Sequence, residues 1–138
     1  SEVLTWSLVT IGGIPLDEFC AQRGLTICQS ERTNIEEMVR KAAYHIIQGK
    51  GATYYGIGSA IARIVEMVLR DRRAILTVST TMEEVAGIKN ITLALPHLIG
   101  GEGAMDTLMP PISESELEAL RASTLQIREA IETLEKVS

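Results

Sequence analysis

Cysteine, histidine and clustered basic residues are all scarce in this chain, and each scarcity removes a class of function. The two cysteines, Cys20 and Cys28, are too few and wrongly spaced for a zinc site or a disulfide framework, which leaves reduced thiols in a cytoplasmic protein as the expectation. The two histidines are His45 and His97. His45 falls in a helical stretch with no cysteine, second histidine or paired carboxylate at ligand spacing, so neither a metal nor general acid–base work finds the orienting partner it needs there. A formal charge of −5 with no run of like charges speaks against nucleic acid and anionic membrane surfaces, which require clustered Lys and Arg. Arg70, Arg72 and Arg73 form the one basic cluster, and at a helix C-terminus it complements the helix dipole. No apolar run approaches the roughly 20 residues of a membrane span. No signal-peptide pattern, internal repeat or low-complexity stretch is visible.

What remains is a chain of 138 residues, 46% apolar, which fits one domain and can bury a core. It begins without Met inside the apolar run Val3–Ile11, a start that looks cut rather than native. Leu4 to Ile11 mixes β-branched and apolar residues as a strand does, and Gly12-Gly13-Ile14-Pro15 breaks it. A short helical turn follows from Leu16, closed by Gly24. Thr33-x-x-Glu36 has the capping-box pattern, and Ile35, Met38, Val39, Ala42, Ala43, Ile46 and Ile47 recur at helical steps, so a long helix is predicted from there to about Gln48. A second stripe, Ile57, Ile61, Ile64, Val65 and Val68, starts almost at once. Its nearly all-round apolar character predicts a central, buried helix.

Further on, Ala74–Thr80 and Ile91–Leu95 read as strands joined by a turn over Glu83–Asn90, with Pro96 ending the second and Ala104–Met109 forming a weak third. Strands that follow one another by turns imply an α+β layout, a twisted antiparallel sheet packed by long helices. Ser113-x-x-Glu116 caps a last helix whose stripe is Leu117, Leu120, Thr124, Ile127, Ile131 and Leu134.

The junction Lys50-Gly-Ala-Thr-Tyr-Tyr-Gly-Ile-Gly58 is too short to wander, so Thr53, Tyr54 and Tyr55 are expected at a defined bend between two buried helices. Gly56-Ile-Gly58 is similar on its face to a phosphate loop, but a helix and not a strand precedes it.

Taken in order, Trp6-Ser7, Gly12-Gly13-Ile-Pro-Leu16, Ala42-Ala-Tyr-His-Ile-Ile47, the junction Lys50–Gly58 with Ala62-Arg63, Leu76-Thr-Val-Ser79 and Leu95-Pro96 resemble the C-terminal, substrate-binding domain of the NAD-dependent L-lactate dehydrogenases, in the lactate/malate dehydrogenase family. The resemblance covers essentially the whole chain. It implies residues 1–138 as a substrate-binding and oligomerisation domain of that fold, without the N-terminal dinucleotide-binding domain. Thr53 matches the threonine that hydrogen-bonds the 2-oxo acid, and Ile57 the apolar residue against the nicotinamide ring of NAD. Tyr44 falls at a tyrosine that looks like a modification site in some relatives. On residues alone, Thr53 reads as a local cap and Ile57 as core.

Ser1-Glu2 looks like the end of the stretch that follows the family's catalytic histidine, and neither His45 nor His97 matches that position. The intact enzyme implied is a homo-oligomer of glycolysis that interconverts pyruvate and L-lactate, and the chain alone is expected to be inactive. A malate dehydrogenase domain and a non-catalytic assembly module are the alternatives.

Overall fold

The computed structural model describes residues 2–135 of the chain; Ser1, half of the Ser1-Glu2 match, lies outside them. The chain divides into two compact units, Glu2–Tyr54 and the residues from Tyr55 onward.

The first unit opens with a single 3-10 turn, Trp6–Leu8, then two two-residue strands, β1 (Thr10–Ile11) and β2 (Ile14–Pro15), paired antiparallel. The strand expected over Leu4–Ile11 is therefore mostly not one. Gly12 and Gly13 both take positive φ, 62° and 83°, and fold the chain back on itself so early that only Thr10 and Ile11 can pair. Helix α1 (Leu16–Arg23) buries Leu16 and Cys20 and ends on Gly24 in the left-handed region. Helix α2 spans Gln29–Lys50. It begins four residues ahead of the Thr33 box, because Glu31 takes the box role and accepts a hydrogen bond from the Cys28 backbone N–H at 2.8 Å. Thr33 instead donates its hydroxyl to the carbonyl of Gln29 one turn back.

In the second unit, α3 (Tyr55–Leu69) precedes a three-stranded antiparallel sheet of β3 (Ala74–Val85), β4 (Ile88–Gly100) and β5 (Gly103–Thr107), in the order β3-β4-β5. The turn of β3 into β4 is only Ala86-Gly87, both at positive φ (51° and 81°). That pair of signs is what a two-residue hairpin turn needs to match the twist of its strands. Alternation then sorts the faces. Ile91, Leu93, Leu95, His97 and Ile99 point inward from β4 and are buried. Opposite them on β3 stand Met82, Thr80, Val78, Leu76 and Ala74.

Pro96 does not end β4. Its carbonyl accepts from Leu108 N at 2.8 Å, so its nitrogen faces the same side, just past the end of β5, where no donor is required.

The sheet's inner face is covered by α3, through Met67, and by α4 (Glu114–Glu135). The Ser113 box is present as expected: Ser113 N donates to Glu116 Oε2 at 2.8 Å, and Glu116 N donates to Ser113 Oγ at 3.3 Å. It sets the rotation of α4 so that Glu116, Leu120 and Thr124 are the buried row, while Leu117 is left 41% exposed. Thr124 is fully buried because its hydroxyl bonds to the Leu120 carbonyl at 2.8 Å. Arg128 donates to the carbonyls of Lys89 and Asn90, pinning α4 to the start of β4.

Two expectations about burial fail. α2 buries none of its residues, and α3 buries only Met67. Apolar periodicity marks a face that can be buried; it does not supply the surface that covers it. Along α3 the four-residue row Ile57, Ile61, Val65 and Leu69 is exposed throughout.

Candidate functional site

The placement of Thr53 and Ile57 depends on where α2 stops and α3 starts. Helix α2 is closed by Gly51, at φ 78°, whose N–H reaches the Ile47 carbonyl at 2.7 Å. A residue with a β-carbon is strained in that conformation, so the helix ends there and releases a four-residue link, residues 51–54.

Thr53 belongs to the first unit and is exposed in that link. It is two residues ahead of Tyr55, where α3 begins, and so outside the cap position. Among the described residues its hydroxyl is in no hydrogen bond. The reading of Thr53 as a local cap therefore fails. Ile57 belongs to the second unit, in the first turn of α3, and is 61% exposed; its reading as core fails as well. Tyr44 and His45 lie on α2, both exposed, Tyr44 with 68% of its surface in solvent. An uncommitted hydroxyl and an uncovered isoleucine can each serve a ligand, because neither has a structural duty to give up.

His97 has the opposite character. It is 2% exposed, with Nδ1 2.7 Å from the Leu95 carbonyl and Nε2 2.7 Å from Thr80 Oγ1. The Leu95 carbonyl can only accept, so Nδ1 carries a proton, and in the neutral imidazole Nε2 then accepts from the threonine, which uses both ring nitrogens. A ring so engaged has no atom left for a substrate.

Each arginine of the basic cluster lies near a carboxylate of its own unit. Arg70 and Arg72 approach Glu66 at 3.1 and 3.8 Å, and Arg73 lies 4.0 Å from Asp71. At the far end of the β3–β4 hairpin an open groove of about 520 Å³ is lined by Thr81–Ala86, Leu95, Thr107 and Met109. None of the residues chosen from sequence lines it.

Spacing alone did not reveal a polar cluster in the first unit. The Trp6 indole N–H donates to Glu36 Oε1 at 2.9 Å, the Arg32 guanidinium lies 5.3 Å from the Trp6 ring centre, and Arg32 pairs with Asp17. The partners are up to 30 residues apart, beyond any local periodicity.

All 138 residues match the family described as lactate/malate dehydrogenase, alpha/beta C-terminal domain. The chain belongs to that family. Over 134 residues, 97% of the chain, it is 53% identical to an L-lactate dehydrogenase of Geotalea daltonii, and 43% identical over the same length to one of Thermus aquaticus. It spans 43% of the length of each of those relatives. Among solved structures, the ligands-bound crystal structure of the minor L-lactate dehydrogenase from Enterococcus mundtii superposes with a TM-score of 0.86 at 30% identity. That match covers 95% of this chain and 41% of the other. The α+β fold with an antiparallel sheet is thus the family's own, and no helix among the described residues is long and apolar enough to cross a membrane.

Proposed function

We propose that this chain is the substrate-binding and oligomerisation part of an NAD-dependent L-lactate dehydrogenase, a cytoplasmic homo-oligomer that interconverts pyruvate and L-lactate. The observation that carries the reading is the Thr53 hydroxyl, in no hydrogen bond among the described residues and exposed in the link that follows the end of α2. A 2-oxo acid presents acceptors only, and a threonine hydroxyl donates to one of them while its methyl group restricts the rotamer.

The residues present fit a nicotinamide ring: Ile57 and Ile61, one turn apart on α3, offer uncovered apolar surface. NAD, when bound, accepts or supplies the hydride. Ile57 would exclude water from the ring it faces, and Thr53 would orient the substrate. Tyr44, exposed on α2, is accessible to a modifying enzyme. The uncovered apolar residues of α2 and α3 support assembly, since each Å² of apolar surface removed from water contributes about 25 cal/mol.

The test is Thr53→Val in the enzyme that carries this chain, with Thr53→Ser beside it. Losing one hydrogen bond to a buried substrate costs about 1–3 kcal/mol, or a fall of about 5- to 150-fold in kcat/KM for pyruvate. NADH affinity should be unchanged, and Thr53→Ser should retain most activity. Pyruvate kinetics in Thr53→Val equal to the parent's would remove Thr53 from the substrate site.

A further inference from the structure

Helix α2 buries none of its 22 residues, so within the first unit its position rests on something other than a hydrophobic core. Four side chains supply it. Glu36 accepts from the Trp6 indole at 2.9 Å and, through its other oxygen, from Arg40 at 3.3 Å. Arg32, one turn earlier and on the same face of the helix, lies over the Trp6 ring and reaches Asp17 in the first turn of α1. The indole is gripped at its edge by a carboxylate and on its face by a cation, both carried by α2.

We propose that Trp6, Arg32, Glu36 and Asp17 form a polar–aromatic latch that fixes α2 against the segment Glu2–Arg23, and that losing either grip on Trp6 frees the helix. A latch of this kind differs from packed apolar surface in being directional. The N–H···O bond sets the height of the helix on Trp6 and the stacked guanidinium sets its rotation. Because α2 runs without a break to Lys50, the same contacts set where residues 51–54 stand relative to the β1–β2 turn. On the reading of Thr53 as a substrate residue, Arg32 and Glu36 are thereby positioning residues for it.

Trp6 is the one tryptophan of the chain, so its fluorescence reports on the latch directly. The experiment compares Arg32→Met, Arg32→Lys and Glu36→Leu with Glu37→Gln, a control that loses only an exposed pair with Lys41. Acrylamide quenching of Trp6 and amide exchange across residues 33–40 are measured on the 138-residue chain. Arg32→Met is expected to raise exchange by about two- to fivefold, the size of an exposed cation–π contact. Arg32→Lys, which keeps the charge and loses the planar stack, should give a smaller rise. Glu36→Leu should raise it by about tenfold or more, as removal of a charge-assisted hydrogen bond does. Quenching should increase in the same order, with Glu37→Gln unchanged. If Arg32→Met and Glu36→Leu match Glu37→Gln in both readouts, the latch does not exist. Pyruvate KM in the enzyme that carries the chain separates the two readings. A freed α2 with unchanged KM leaves the latch in place and removes only its link to the substrate.

Discussion

Thr80→Val exchanges one hydroxyl for a methyl group of nearly the same size, so its cost isolates a single hydrogen bond. In the folded chain that bond is the one to His97 Nε2, 2.7 Å away, on a ring that is 2% exposed. The ring is buried, and Nδ1 is already committed to the Leu95 carbonyl. The nitrogen is left buried and unpaired, at a cost of about 1–3 kcal/mol. With about 2.1 cal/mol/K of unfolding entropy per residue over 138 residues, each kcal/mol moves the midpoint by about 3 °C. A fall in Tm of about 3–10 °C follows, measured by calorimetry or circular dichroism at neutral pH. The control is Thr81→Val, whose hydroxyl shares a 2.9 Å bond with Thr92 on the exposed face. Both of those groups are hydrated once separated, so its effect should stay within about 0.5 kcal/mol. A further variant, Thr80→Val with His97→Leu, removes donor and acceptor together and should be less damaged than the sum of its parts. Equal shifts for Thr80→Val and Thr81→Val would refute the argument that burial of the imidazole sets the cost.

Three other outcomes are expected. Gly100→Ala would put a β-carbon 2.8 Å from both Asp71 Oδ1 and Met105 Sδ; Asp71 Oδ1 also holds Gly101 N at 2.7 Å and cannot retreat freely, so a loss of about 1–3 kcal/mol should appear in urea unfolding. Arg128→Met removes the donor that holds the carbonyls of Lys89 and Asn90, and faster amide exchange confined to the hairpin end and the facing turn of α4 is the expected signature. Glu31 is held below its ordinary value of 4.5, first by the backbone N–H of Cys28 and then by that residue's side chain. A depressed folded value means that the stabilisation is complete above the unfolded carboxyl's range and is lost as pH falls through the lower folded value. The start of α2 should therefore fray on acidification in the parent chain, and Glu31→Gln should flatten that dependence in amide exchange over residues 29–33.

The elements that sequence revealed are those whose signals are local. Ser113 and Glu116 announce α4 and form the box as expected, and Gly24 and Gly51 close α1 and α2 in the left-handed conformation. The start of α2 was hidden because cysteine is an unusual residue to stand ahead of a box glutamate, while Thr33 and Glu36 imitate the pattern inside the helix. Sequence places eight residues in the β3–β4 turn and the structure has two, since Ala86 replaces the Asn or Asp that normally signals such a turn. At the candidate site, Thr53 and Ile57 stand out through a family resemblance and not through periodicity, which favours a cap and a core residue. Position ahead of α3 rules out the cap, and exposure rules out the core residue. The Trp6–Glu36 and Thr80–His97 contacts join residues 30 and 17 positions apart and leave no trace in any window of sequence.

The two-residue turn at Ala86-Gly87 also bears on how the second unit forms. Pairing of β3 with β4 runs from Val85↔Ile88, three residues apart, to Ala74↔Ile99, 25 apart, so it can proceed as a zipper from the turn with each step closing only a slightly longer loop. Hairpins of this kind form in about 1–10 μs. The Arg128 contacts, 38 and 39 residues distant along the chain, require a far larger closure and come afterwards. A substitution that Ala86 tolerates poorly in the left-handed region, such as valine, would accordingly slow refolding as well as lower stability, whereas Arg128→Met would chiefly speed unfolding. A hairpin-first order predicts that substitutions in the uncovered row of α3, which lies outside the hairpin as do the candidate ligand residues, leave the refolding rate unchanged.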